Sequence, residues 1–170
     1  MTMIYLLYTA VILVLVGCDQ ILKAWTVHHL ELGQSTALFP GFLRLTRVHN
    51  YGAAWSSFSG KTVLLVAVTA ALLVAVAYLL VRRIVRHPLG VAAALLVLGG
   101  GVGNIIDRIA HGYVVDMFDL MLFSYPVFNL ADCCVVVGAI LGGIYYLFLY
   151  EKYDKKKKES DHAHDPSDPS

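Results

Sequence analysis

Residues 99–132 read GGGVGNIIDRIAHGYVVDMFDLMLFSYPVFNLAD, and this stretch decides the architecture. It holds four carboxylates (Asp107, Asp116, Asp119, Asp132), one guanidinium (Arg108) and two carboxamides (Asn104, Asn129) between apolar runs of hydrocarbon length. An uncompensated Asp or Arg at the middle of a spanning helix costs roughly 2.5–3.5 kcal/mol on insertion scales. A chain that keeps such a cluster beside the bilayer core has a use for it. Asp116 and Asp132 are the expected catalytic pair, at the outer rim of a membrane-embedded site.

The flanking sequence sets the class. Of 170 residues, 58% are apolar and 15% charged, against about 25% charged in soluble domains. An all-α membrane protein is expected, with one domain over 1–150. Spans are placed at 3–23, 62–81, 89–106 and 129–150, each near the ~20 residues that cross ~30 Å of hydrocarbon at 1.5 Å per residue. The clearest is TVLLVAVTAALLVAVAYLLV at 62–81, which carries no charge. From Glu151 the tail is basic and then polar, a composition that does not fold.

Orientation follows from the short-loop cations. Arg82, Arg83 and Arg86 in one turn, and Lys152 with Lys155 to Lys158 in the tail, are expected on the cytoplasmic side. Both termini then lie inside, and segments 24–61 and 107–128 lie outside. Lys23, Arg44, Arg47, Lys61 and Arg108 temper the bias without reversing it.

In 24–61, AWTVHHLELG suits a short helix at the interface with Trp25 as its anchor, and residues 37–60 suit a small extramembrane sheet or hairpin. Residues 107–128 read as a re-entering polar loop that turns near Ser124-Tyr125-Pro126. The first span ends in LVGC, which resembles a lipobox with Cys18 as the residue to be lipidated. No Lys or Arg precedes the run and three more spans follow, so a retained helix is favoured over a removable signal. Cys133 and Cys134 are adjacent in a helical run and imply no disulfide framework.

On the third span Gly100, Gly103, Asn104 and Asp107 share a face. Glycines there serve helix packing, whereas packing requires neither the Asn104 amide nor the Arg108 guanidinium. Two readings are open for the fourth span. Asn129 can be an N-cap with Asp132 as its third-residue carboxylate, or both can belong to a site. Asp116 has no capping role, since Val114 and Val115 precede it and Met117 and Phe118 follow. If Asp116 and Asp132 meet, they share a proton, one acting as base on water while the other polarises a carbonyl. That is the chemistry of an aspartic protease.

Five blocks now carry a resemblance: DQILK (19–23), NYGAAW (50–55), GGGVGNIIDR (99–108), VVD (114–116) and FNLAD (128–132). In this order they resemble the signature blocks of the lipoprotein signal peptidases, the bacterial type II signal peptidases. Met117 stands where the family pattern has Phe. The resemblance implies an intramembrane aspartic endopeptidase of the bacterial cytoplasmic membrane that removes the signal peptide from prolipoproteins, cutting just before the diacylglyceryl-modified cysteine. It implies a four-transmembrane-helix bundle with a small outer β-cradle and an interfacial amphipathic helix. Carried over, Asp116 and Asp132 are catalytic; Asn50, Gly52, Asn104, Arg108 and Asn129 bind substrate or support the pair; Asp19, Lys23 and Asp107 are structural or rim residues. Membrane lipids are the expected surroundings, with a monomer sufficing.

Neither a cofactor nor a metal is called for: there is no HExxH and no clustered Cys/His spacing, and His28, His29 and His49 are expected to face solvent. The glycine run lacks the Lys-Ser/Thr of a phosphate loop, and no nucleic-acid partner is expected. Two rival classes remain. A proton-coupled transporter predicts acids near mid-membrane and internal repeats, which the chain lacks; a lipoprotein beginning at Cys18 predicts loss of residues 1–17.

Overall fold

The computed structural model describes residues 2–52 and 60–155. Four helices are long and apolar enough to cross a membrane: α1 (Thr2–His29), α2 (Thr62–Val81), α3 (Pro88–His111) and α4 (Leu130–Phe148). Three strands, β1 (Ser35–Phe39), β2 (Leu43–Asn50) and β3 (Val114–Leu120), form one antiparallel sheet in the order β1-β2-β3. This is a helical membrane protein with a small sheet at one end of its bundle.

α3 is the central helix and packs against α1, α2 and α4. Its glycine run explains how. A Cβ on Gly99 would lie 2.8 Å from Leu15 of α1, one on Gly100 would run into the Ala131 carbonyl oxygen of α4, and one on Gly101 would lie 2.6 Å from Leu73 of α2. On Gly103 it would lie 2.7 Å from the Asp19 carboxylate. Three neighbouring helices therefore close onto α3 where it has no side chains, the small-residue packing that bilayers favour. A compact apolar cluster of Leu73, Leu80, Leu95 and Leu98 lies on the α2 side of this contact. Elsewhere α1, α2 and α4 leave large apolar side chains exposed to their surroundings.

Several boundaries differ from the sequence expectation, each for a local reason. Residues 24–29, expected as a separate interfacial helix, continue α1 without a break, because no Gly or Pro interrupts 18–29. At 28 residues α1 is about 42 Å long, more than hydrocarbon thickness, so its last turns reach the sheet. There Thr26 is fully buried against Met117, and Arg47 donates to the Val27 and Leu30 carbonyls at 3.1 Å each, satisfying the open end of the helix.

α3 also runs further than expected. Asp107 and Arg108 lie inside it rather than in a loop, and it stops at Gly112, whose φ of 81° is a left-handed cap. The segment read as a re-entering polar loop contains β3. Its backbone pairs with β2 on one side, with Val48 opposite Asp116, and its Met117 and Phe118 amides donate to the Phe128 carbonyl on the other. The expected sheet over 37–60 is realised as β1 and β2; residues 53–59 lie outside the described residues. Glu151–Lys155, expected within an unfolded tail, belong to a π-helical turn, Tyr150–Lys155. Asp154 holds that turn by accepting from Tyr145 Oη and from the Arg86 and His87 amides.

The seam predicts a contrast between two helix glycines. Gly100→Ala, driven against a backbone carbonyl, should destabilise by about 2 kcal/mol or more. Gly143 has no atom within 4 Å of a built Cβ, so Gly143→Ala should be neutral or stabilise by up to about 1 kcal/mol through helix propensity. Thermal unfolding in detergent reads both; equal melting temperatures for the two variants would contradict the close approach.

Candidate active site

The end of the bundle that carries the sheet is polar in its interior. The four carboxylates of 99–132 are sorted there by their neighbours. Asp119 pairs with Arg44 at 2.6 Å and accepts from Thr46 at 3.1 Å. Asp107 pairs with Lys23 at 3.0 Å. Asp116 and Asp132 instead meet amide donors, and no cation lies within ion-pair distance of either among the described residues. They line one cavity of about 360 Å³ with Asn50, Asn104 and Arg108, its walls completed by Thr69 of α2, Val135 and Val136 of α4 and the 125–128 segment.

Asn129 joins the two acids. Its side-chain nitrogen donates to Asp116 Oδ1 at 2.7 Å and its backbone N–H donates to Asp132 Oδ2 at 3.1 Å. Its side-chain oxygen accepts from the Asp132 amide at 2.9 Å, which completes a reciprocal capping box at the start of α4. The capping reading of Asn129 and Asp132 is realised, in a geometry that also joins Asn129 to Asp116. A cap brings Asp132 and the Asn129 amide to the same helix end, and the helix N-terminus favours negative charge there.

Asn104 holds the second acid. Its nitrogen donates to Asp132 Oδ1 at 2.8 Å, while its oxygen accepts from Asn129 at 3.1 Å and from Lys23 at 3.0 Å. Asn50, at the end of β2, donates to Asp116 Oδ2 at 3.0 Å and accepts from the Gly52 amide at 2.9 Å. Arg108 donates to the Gly52 carbonyl at 2.8 Å and to the Asn104 carbonyl at 3.4 Å. All seven expected site residues, Asn50, Gly52, Asn104, Arg108, Asp116, Asn129 and Asp132, therefore belong to one connected network. Asp116 comes from a strand that the loop reading did not contain.

The remaining three expected residues, read as structural or rim residues, are buried. Asp19, Lys23 and Asp107 are 1%, 3% and 2% exposed, joined by Lys23–Asp19 and Lys23–Asp107 pairs of 2.8 and 3.0 Å. Their spacing places them there, since residues 19 and 23 share a helix face and that face meets α3. Gln20, not singled out in the sequence, donates to Asp107 at 2.9 Å and to the Gly103 carbonyl at 3.2 Å. Only its place one residue from Asp19 could have suggested it. His49 is half-buried rather than solvent-facing and stacks on Tyr113 with ring centroids 3.8 Å apart. Among the described residues no group of three or more His, Cys, Asp or Glu is placed to hold a metal.

Burial sets the electrostatics of Asp116. It is 1% exposed, and desolvation, with Asp132 adding repulsion, pushes its carboxyl up to about 7. The amides of Asn50 and Asn129 and the more distant Lys23 act the other way without prevailing. Near neutral pH this acid exchanges its proton.

Comparison with known proteins shows the family. A family model described as signal peptidase (SPase) II matches residues 11–148. A lipoprotein signal peptidase of Enterococcus faecalis is 40% identical over 158 residues, covering 93% of this chain and 98% of that protein. One from Lactiplantibacillus plantarum is 42% identical over 134 residues, covering 79% of this chain and 89% of its own. Two solved structures of bacterial membrane enzymes superpose with a TM-score of 0.76 each. They are 27% and 33% identical and cover 96% and 84% of this chain, and 94% and 93% of their own.

The raised Asp116 value has a consequence for stability. An unfolded aspartate loses its proton near 3.8, the folded one near 7. Between those values the native state holds a proton that the unfolded chain has released, so stability falls as pH rises through this window. The carboxamide of the Asp116→Asn variant cannot titrate. The melting temperature of Asp116→Asn minus that of the natural protein should therefore grow from about pH 4 to about pH 8. A difference independent of pH would mean that Asp116 titrates normally.

Proposed function

The chain belongs to the signal peptidase II family, and on that premise we propose that Asp116 and Asp132 are an aspartic dyad that cleaves prolipoproteins just before the diacylglyceryl-modified cysteine. The observation that carries the reading is the shared cavity. Two carboxylates face it, Asp116 buried and Asp132 half-buried, with no ion-pair partner among the described residues and bridged by one asparagine. Every other acid of the 99–132 stretch is paired with a cation.

The chemistry follows from sharing one proton. Two carboxylates at close quarters do not both ionise cheaply, so one is held neutral. In the proposed reaction the ionised acid takes a proton from water as the water attacks the scissile carbonyl carbon. The neutral acid gives its proton to the carbonyl oxygen. Collapse of the tetrahedral species breaks the C–N bond, with the first acid's proton passing to the departing nitrogen and the second acid recovering its own. The products are a signal peptide ending in a carboxylate and a lipidated cysteine with a free amine. Asn104, Asn129 and Asn50 keep four carboxylate oxygens oriented throughout, while Arg108 ties α3 to the Gly52 backbone at the cavity.

Location supports the same reading. Asp132 stands in the first turn of α4, Asp116 in the strand after α3, and Arg108 in the last turn of α3. These are helix ends, where water enters, while the adjoining spans accept acyl chains. Arg82, Arg83 and Arg86 occupy the turn at the opposite end of the bundle, which the positive-inside rule assigns to the cytoplasm. The dyad then faces outward, both termini are cytoplasmic, and one copy of the chain carries the whole site.

The test is cleavage of a diacylglyceryl-modified prolipoprotein in lipid bicelles, read by mass spectrometry. Asp116→Asn and Asp132→Asn should each lower turnover by about 10³-fold or more. Normal turnover in either variant would refute the dyad.

A further inference from the structure

Beyond the dyad lies a buried cation that the chemistry above does not use. Lys23 on α1 is 3% exposed, and three polar groups converge on its ammonium: Asp19 at 2.8 Å, Asp107 at 3.0 Å and Asn104 at 3.0 Å. Each leads to the dyad by a different route. Asp19 accepts from the amide of Ala131 at 2.9 Å, the residue before Asp132. Asp107 accepts from the amide of Val115 at 3.1 Å, the residue before Asp116. Asn104 reaches Asp132 directly and, through Asn129, Asp116.

We infer that Lys23 is a positioning residue for the reaction: its ammonium fixes which way the Asn104 carboxamide points and anchors the backbone ahead of both catalytic aspartates. The inference rests on the dyad reading and goes beyond it. A carboxamide can be turned over at little cost unless a neighbour distinguishes its ends. Lys23 is a donor only and must meet the Asn104 oxygen, which leaves the nitrogen for Asp132. Turned over, Asn104 would set its NH₂ against the ammonium and against the Asn129 NH₂, and its oxygen against the Asp132 carboxylate. The orientation is thus imposed from a helix that does not itself touch the dyad.

Stability alone does not explain such a cation. A buried ion pair replaced by well-packed apolar groups is often neutral or stabilising, whereas removing one partner alone is costly. The arrangement here has two carboxylates that each grip a different catalytic strand or helix, joined at one charge. That is a device for fixing geometry.

The charged groups around the dyad are few. α1 supplies Lys23 with Asp19, α3 supplies Asp107 and Arg108, β3 supplies Asp116 and α4 supplies Asp132; β2 contributes the neutral Asn50. Loss of the Lys23 charge therefore acts on the dyad's proton as well as on its position.

The experiment compares Lys23→Met, Lys23→Arg and the double variant K23M/D107N in the bicelle assay across pH, with kcat normalised to protein that retains a thermal unfolding transition. The double variant removes one charge of each sign, so the buried balance is unchanged and folding is protected. Lys23→Met and K23M/D107N should lower kcat by about 100-fold with KM for the lipopeptide within about threefold. The acidic limb of the Lys23→Met kcat/KM profile should move up by about one pH unit, since a nearby positive charge is gone, and that of K23M/D107N by less, since a negative charge leaves with it. Lys23→Arg should lose turnover through altered shape but keep the acidic limb in place. An unmoved limb in both Met variants, with activity lost only in proportion to folded protein, overturns the inference and leaves Lys23 a scaffold residue. Failure of the dyad itself would show separately, as cleavage surviving Asp116→Asn.

Discussion

The site depends on how closely α1 and α4 approach α3. Where α3 carries Gly99, Gly100 and Gly103, the backbone of α4 and the side chains of α1 occupy the space that side chains would fill. That proximity puts Asp19 within reach of Ala131 and Lys23 within reach of Asn104. Polar groups in a low-dielectric interior are stable only when every donor and acceptor is met, and meeting them requires distances near 3 Å. Without the glycine seam these helices would sit too far apart for the network to close.

A second consequence is the sorting of charge. Asp107, Asp116, Asp119 and Asp132 are chemically alike, yet two acquire cations and two acquire amides. An acid paired with Lys or Arg becomes a strut. One surrounded by amides and buried against a like charge becomes a group that exchanges a proton near neutrality, as Asp116 does. The division of labour is thus made by neighbours drawn from other elements: α1 for Asp107, β2 for Asp119 and Asp116, α3 for Asp132.

The sheet matters for the same reason. β3 delivers Asp116 because its backbone is held on both sides, by β2 and by Phe128, so an extended segment can stand at the bundle mouth without unmet amides. Met117, which stands where the resemblance puts Phe, is 1% exposed and packs on Thr26 of α1 with a flexible side chain. At the other end of the bundle, Asp154 ties the chain after α4 to the α2–α3 turn, so both ends of the helix array are closed by a buried carboxylate.

By itself the sequence determined the class and most of the cast. Uninterrupted apolar runs of spanning length admit few alternatives to membrane helices, and polar residues that survive beside them announce a site. The motif blocks then named Asp116 and Asp132 together with Asn50, Asn104, Arg108 and Asn129. Tertiary structure alone decided the rest. The 107–128 stretch reads as a loop because the strand that pairs with β3, β2, lies more than 60 residues earlier in the chain, with Asn50 opposite Val114. The end of α1 passed for an interfacial helix since its mixed pattern buries Thr26 and Leu30 against that sheet while exposing Trp25. For Lys23 and Asp19 the sequence leaves a rim position open beside a structural one, because ionic side chains near a helix end ordinarily reach water. Here they turn inward, and only the packing of three helices could show that their charges neutralise one another.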